Sequence, residues 1–539
     1  MKRKVLHLLV TLAAFLALCL EANMSGTLAM AAAVPTNGPT GAPYTDIAGN
    51  FAAADILTLT DEGYIHGFAD QTFRPNLPVT RGQFLAYLMT LIEPTTGVTP
   101  QSDGPQHYAD VPPGNWAFAS VASAYAAGWI QADWIGAEPG QDFHENDQAS
   151  RGDAAAFFVA ALEHQKNPLI LPRGVSPLTY ADELGWFAGI PEAASTTYLT
   201  RADAAVVLAN MQAYLEKRAH PLVPAASPVL LGWNYGSNLS AYLQQDAADS
   251  PLNTFVYDGF HLNAAGTFVN SLSPSYAKDL QAEGKQAWGL FGNTNNPSWT
   301  HTALLTRASR LQLSETVAAI CESDGLNGAN VDFENVDASD REDLSLFVQT
   351  LTSVMHQIGK EVSVDVAPPS AGSWSAAYDY RALASAADQL VVMTYDEHWS
   401  GDPMPGPVTS VPWVQGNLTA LLRTVPADKL VLGMPLYTRA WDVADPSAGS
   451  YGIPLIDMTS LLAKAVSSSE DARFSQSLVV YAGPASADYE FWRDGPTVLQ
   501  SIGKLAANDH LDGLAFWRLG FESPSQWSRI LPPGLQGSR

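Results

Sequence analysis

The chain has 539 residues, 47% of them apolar and 15% charged, with 54 acidic residues against 28 Lys and Arg and a formal charge of −26 at pH 7. At roughly 100 to 250 residues per domain, two to four folded domains are expected, and the composition argues against disorder. Such acidity argues against a nucleic-acid partner and otherwise describes a solvated surface.

The basic start Met1-Lys-Arg-Lys4, the apolar run Val5 to Leu20 and the small residues Ala29-Met-Ala-Ala-Ala33 come in the order of a secretory signal peptide, with cleavage expected near Ala33. The apolar run falls short of the roughly 20 residues of a full span. No later stretch is apolar for long enough, so no membrane span is expected once residues 1–33 are removed. Cys19 lies inside this segment behind the large Leu18, a poor lipoprotein box. Cys321 is then left as the one thiol, with no internal disulfide.

Residues 44 to 212 hold a degenerate repeat. Its units open with Tyr44-Thr-Asp46, Tyr108-Ala-Asp110 and Tyr180-Ala-Asp182. The first two pass through an Ala-rich amphipathic stretch to a glycine, in Glu62-Gly-Tyr-Ile-His-Gly67 and Ala127-Gly-Trp-Ile130. All three reach a polar-Arg pair, Thr80-Arg81, Ser150-Arg151 and Thr200-Arg201, heading an apolar helix with Thr or Ser as N-cap. The expected units are 44–95, 107–165 and a shortened 178–215, with a Pro- and Ala-containing linker over 216–228.

These features, with Gly67-Phe-Ala-Asp-Gln-Thr-Phe-Arg-Pro75 before the first pair, resemble S-layer homology domains. The resemblance implies an all-α module that binds a secondary cell-wall polymer. Arg81, Arg151 and Arg201 would line its groove, the alternative being that they support helix starts.

From Val229 onward, short apolar runs alternate with helical patterns. The runs are Val229–Trp233, Thr254–Tyr257, Gln286–Leu290, Gly328–Phe333, Val362–Val366, Gln389–Met393, Lys429–Gly433 and Gly513–Trp517. Eight runs with polar and aromatic residues at their ends fit a (β/α)8 TIM barrel over 229–532, whose chemistry sits at the C-terminal strand ends. A doubly wound sheet fits the pattern alone.

On the fourth run Asn330, Asp332 and Glu334 alternate with Val331 and Phe333, which places the three polar side chains on one face. Two carboxylates side by side disfavour double ionisation, so one keeps a proton near neutral pH. Glu334, longer and nearer the strand end, is the better acid. Asp365 also points inward, with no function assigned beyond a buried, hydrogen-bonded carboxylate.

The segment Asn327-Gly-Ala-Asn-Val-Asp-Phe-Glu334 resembles the signature Asp-x-x-Asp-x-Asp-x-Glu of family 18 glycoside hydrolases, matching its last two acids and departing at Asn327 and Asn330. Met393-Thr-Tyr-Asp-Glu-His-Trp399, Pro405-Gly-Pro407, Val411-Pro-Trp413 and Lys429-Leu-Val-Leu-Gly-Met-Pro-Leu-Tyr437 resemble the spore-cortex-lytic branch, where Asn at position 330 is usual. The resemblance implies substrate-assisted, retaining cleavage next to N-acetylglucosamine. Glu334 would be the acid, Asp332 would hold the acetamide N–H and Tyr395 the acetamide oxygen. Trp517 would floor the sugar, or else fill the barrel core. Asn330, Met393, Asp396 and Tyr437 would contact substrate or support the rim, and no metal or organic cofactor is implied.

The expected protein is a secreted hydrolase bound to the cell wall or S-layer and acting on an N-acetylated glycan, peptidoglycan or its cortex form. Chitin oligomers are the alternative substrate. Two further readings are a non-catalytic glycan-binding envelope protein on a retained barrel and a lattice subunit; Glu334, Asp332 and Tyr395 favour the enzyme.

Overall fold

The structure, a computed structural model, describes residues 44–165, 168–191, 198–219, 228–235, 250–270, 272–273, 275–445, 447, 449–483 and 488–533. The expected signal segment, and residues 220–227 of the expected linker, lie outside these. The chain divides into two compact units, one built on residues up to 169 with 176–219, the other on 170–175 with the residues from 220 onward.

In the first unit the three polar-Arg pairs each begin a helix, Arg81–Thr96, Arg151–Glu163 and Arg201–Ala219, the last running past the expected boundary at 215. Thr80 and Ser150 form reciprocal capping boxes with Gln83 and Asp153. Thr200 does the same with Asp203, whose carboxylate accepts from the Thr200 backbone at 2.8 Å while the Asp203 N–H donates to the Thr200 hydroxyl. Each exchange satisfies backbone donors that a helix start leaves open.

The residues just before these caps close a ring. Val79 N–H donates to the Leu199 carbonyl at 3.1 Å, Leu199 to Ala149 at 2.8 Å, and Ala149 to Val79 at 2.9 Å. Equivalent positions of the three units thereby pair around one centre, which is the physical content of the repeat. The opening triplets of units one and two also match. Asp46 accepts from the N–H groups of Phe73 and Arg74, and Asp110 from those of Phe143 and His144, all at 2.7 Å. Tyr180 and Asp182 instead lie within a short helix, Pro177–Glu183, so the third unit starts differently.

The second unit is built on eight parallel strands: β1 (Val229–Tyr235), β2 (Thr254–Leu262), β4 (Gln286–Gly292), β5 (Gly328–Asp332), β6 (Glu361–Val366), β7 (Gln389–Met393), β8 (Leu430–Pro435) and β14 (Gly513–Trp517). Pairing of β1 with both β14 and β2 closes them into a barrel, and β3 (Phe268–Asn270) hairpins onto β2. The closed ring decides for the barrel over the doubly wound sheet.

Strand alternation sorts the side chains. Val229, Leu231, Trp233, Val256, Trp288, Leu290, Val391, Val431 and Ala515 form the interior cluster. Ala329, Val331 and Phe333 of β5 and its end belong to the outer layer under the helices, which leaves Asn330, Asp332 and Glu334 inward. Each buried Val or Leu in these layers contributes about 2 kcal/mol, so a one-residue slip that exposed them is strongly opposed.

Between β8 and β14 the chain inserts a five-stranded antiparallel sheet: β9 (Tyr437–Asp442), β10 (Ser450–Pro454), β11 (Ala465–Asp471), β12 (Gln476–Ala482) and β13 (Asp488–Trp492), in the order β10-β9-β13-β12-β11. The sequence reading does not foresee it. Its edge strand β11, Ala-Val-Ser-Ser-Ser-Glu-Asp, is almost wholly exposed and lacks the apolar alternation that marks a half-buried strand.

Candidate active site

The end of β5 brings the expected acids together. Asn330 is fully buried. Its Oδ1 accepts from Trp233 Nε1 at 3.0 Å, and its Nδ2 donates to Ser363 Oγ at 2.9 Å and Asp365 Oδ1 at 2.8 Å. Oδ1 of Asp332 is buried with no protein partner. Burial, then the charges of Glu334, Asp365 and Asp258, hold the Asp332 carboxyl well above the usual carboxylate range.

Glu334 is also raised, by burial first and by Asp396, against a hydrogen bond from Asn295 that lowers it. Its backbone is clamped by Asn293, whose Oδ1 accepts the Glu334 N–H at 3.0 Å while Nδ2 donates to the Glu334 carbonyl at 2.7 Å and to Thr300 Oγ1 at 2.8 Å. Thr294, Asn295, Asn335 and Asp396 around the site have left-handed backbones, φ 54°, 53°, 51° and 56°. Each such residue costs about 1 kcal/mol or more, strain that the surrounding hydrogen bonds maintain.

The end of β7 supplies the other wall. Met393, Tyr395 and Asp396 join Glu334 and Asn295 in lining a cavity of about 670 Å³, with Trp374, Trp399 and Trp413 along it. Burial keeps the Tyr395 phenol neutral, well above its ordinary pKa. Gly433 on β8 makes room for this ring, since a Cβ there would lie 3.3 Å from Tyr395 Cε1 and 3.0 Å from the Val392 carbonyl oxygen. Tyr437 donates its hydroxyl to Asp396 Oδ1 at 2.7 Å, and Arg439 donates to the same oxygen from Nε at 3.2 Å and Nη2 at 3.1 Å. A second cavity of about 430 Å³ beside the inserted sheet, lined in part by Arg473, Glu490 and Trp492, holds none of these groups.

Trp517, at the end of β14, packs edge-on against Trp233 with ring centres 6.0 Å apart and against the interior cluster, yet remains partly exposed. Among the described residues no group of His, Cys, Asp or Glu is placed to share a metal ion, and no helix is long and apolar enough to cross a membrane.

The three arginines differ. Arg81 donates to the Phe143 carbonyl at 2.9 Å and pairs with Asp153 at 3.0 Å. Arg151 lies with its guanidinium 5.3 Å from the Phe187 ring centre. Arg201 is the most buried of the three. It is 4% exposed, and its guanidinium donates to the Phe73 carbonyl, the Tyr87 hydroxyl and the His66 carbonyl at 2.9, 2.8 and 2.7 Å. These three bonds join the third helix start to the first repeat unit.

Sequence reasoning missed Asn293 and Asn295 as supports of Glu334, Trp233 as the partner of Asn330, Asp258 as a charge near Asp332, and Arg439. One signal was present. Asn293-Thr-Asn-Asn296 is a polar run at the end of a barrel strand, the position that flagged the other site residues.

Residues 277–522 match the family model of Glycosyl hydrolases family 18, spanning the barrel from before β4 to beyond β14. The barrel is a family 18 glycosyl hydrolase domain. Residues 43–85, the first repeat unit, match the S-layer homology domain, a module of cell-surface anchoring. The chain is 24% identical over 318 residues to the uncharacterized glycosylase YvbX of Bacillus subtilis, covering 57% of this chain and 91% of that one. It is 24% identical over 306 residues to the cortical fragment-lytic enzyme of the same organism, covering 54% and 70%. Its fold matches that of a chitinase from Chromobacterium violaceum with TM-score 0.52 and 24% identity, over 57% of this chain and 98% of the other. The chain is thus a glycosidase related to cortex-lytic enzymes and chitinases, with a surface-anchoring domain ahead of it.

Proposed function

We propose that this chain is exported and held at the cell wall by its three-unit, all-helical repeat module, and that its barrel cleaves β-1,4 links next to N-acetylglucosamine in peptidoglycan or its cortex form. The observation that carries this reading is the inward pair Asp332 and Glu334, both raised by burial, with Asp332 Oδ1 lacking a protein partner. A buried polar atom without a partner in the protein suits a ligand donor, and the acetamide N–H of the sugar is such a donor.

In this mechanism protonated Glu334 gives its proton to the glycosidic oxygen as the bond from that oxygen to the anomeric carbon breaks. The acetamide oxygen of the same sugar forms the new bond to the anomeric carbon, giving an oxazolinium ion. Asp332 accepts the acetamide N–H and offsets its charge, and neutral Tyr395 donates to the acetamide oxygen. Water activated by ionised Glu334 then opens the ring with net retention, the substrate-assisted variant of glycoside hydrolysis. Trp517 stacks under the sugar, Asn330 holds the floor of the site, and Met393, Asp396 and Tyr437 shape its rim. Arg81 and Arg151 face the wall polymer.

The test is release of reducing ends and soluble muropeptides from N-acetylated peptidoglycan, and of products from chitin oligomers, by the exported chain and by Glu334→Gln. A loss of roughly 10³-fold in the variant, with peptidoglycan the better substrate, is expected. Preference for chitin would reassign the substrate. Binding without cleavage in both forms would leave a glycan-binding envelope protein.

A further inference from the structure

The reaction above gives no part to Asp365. This carboxylate is 2% exposed on β6, next to β5 in a register that sets Asn330 opposite Ser363 and Val331 opposite Val364. A buried carboxylate is costly unless something compensates it. Here the compensating group is an amide, with Asn330 Nδ2 donating to Asp365 Oδ1 at 2.8 Å. The orientation of that amide is fixed, because Trp233 Nε1 can only donate and so selects Oδ1 of Asn330 as its acceptor. The signature of the family carries an acid where this chain has Asn330. The carboxylate absent from β5 stands on the neighbouring strand, at the far side of the same amide.

We propose that Asp365 is a positioning residue that replaces the acid missing at position 330, acting through the Asn330 amide to set the charge and orientation of Asp332 in glycan cleavage. This rests on the reading of Asp332 and Glu334 given above. The titratable groups facing Asp365 are Asp332 and Glu334 from the end of β5, Asp258 from β2 with His261 3.3 Å from it, and the phenols of Tyr395 and Tyr378. Burial holds the Asp365 carboxyl itself well above the usual carboxylate range, against the hydrogen bond from Asn330, so charge at 365 and charge at 332 oppose each other, and removing the carboxyl at 365 lets Asp332 lose its proton at lower pH.

The test compares the full chain with Asp365→Asn and with the double variant Asp365→Asn/Asn330→Asp on N-acetylated glycan, with Glu334→Gln as reference and thermal melts to report folding. In the double variant donors and acceptors exchange places: the new amide at 365 donates to the new carboxylate at 330, which still accepts from Trp233. Asp365→Asn should lower kcat roughly tenfold and shift the alkaline limb of the pH profile down by about one unit, with KM little changed, and the double variant should restore both to within about threefold. An unchanged kcat and limb in Asp365→Asn, or a folded double variant as slow as the single one, would overturn the proposal while the parent remains active and Glu334→Gln inactive. Equal cleavage by the parent and Glu334→Gln would instead remove the reading of Glu334, and this inference with it.

Discussion

The repeat unit and the barrel treat their carboxylates in opposite ways. Asp46 and Asp110 each gather two backbone N–H groups at 2.7 Å and close a loop. Asp332, by contrast, keeps an oxygen with no protein partner beside Glu334, Asp365 and Asp258, a set whose simultaneous ionisation burial and mutual repulsion oppose. Satisfied polar groups fix a conformation, whereas unsatisfied, clustered ones hold reactivity in reserve at the expense of stability. The difference teaches that conspicuous acids and arginines carry no function by type alone; their partners decide.

The comparison is broken most forcefully at Asn293, which belongs to the barrel yet works like a repeat residue by clamping backbone. Asn293→Ala releases both backbone groups of Glu334, and a displacement near 1 Å should cost about 10²-fold in kcat/KM. Steady-state kinetics check this, with no further loss expected when the change is added to Glu334→Gln. On the other side, Arg201→Ala leaves two carbonyls and the Tyr87 hydroxyl without their donor, and should destabilise the repeat unit by about 3 kcal/mol in denaturant titration while the folded barrel cleaves glycan at the parental rate.

A pH series sharpens the contrast. Buried Asp494 is pushed up to about 7, by burial against four hydrogen bonds that lower it, and Glu397 also to about 7 by burial. Their folded pKa values exceed the unfolded ones, so the native state binds the extra protons between about pH 4 and 7. The stability they contribute is therefore present below that window and lost as pH rises through it, and the Tm of the barrel should fall from pH 4.5 to 7.5. A flat Tm would contradict the assignment. The smallest effect is expected at the half-buried Asp110 of the second repeat unit, where Asp110→Ala should cost about 1.5 kcal/mol without touching activity.

Much of this was legible in the sequence. The eight apolar runs became the eight barrel strands because alternation on β5 is enforced from both sides, Val331 and Phe333 outward and Asp332 and Glu334 inward. The helix starts after Thr80, Ser150 and Thr200 were legible because capping is local chemistry. What was not legible depends on distant partners. The burial of Arg201 follows from Phe73 and His66, more than a hundred residues away. The Trp233–Asn330–Asp365 chain crosses three strands, and the inserted sheet lacks a clear period in its edge strand.

The central claim is that the sugar's own acetamide does the attack while Glu334 and Asp332 manage protons and charge. The most direct measurement is the rate of cleavage of one peptidoglycan preparation before and after chemical removal of its N-acetyl groups. The account predicts a fall in kcat/KM of at least about a hundredfold on the de-N-acetylated glycan, because the intramolecular nucleophile is gone. Equal rates on the two glycans would contradict it and require a nucleophile from the protein or the solvent.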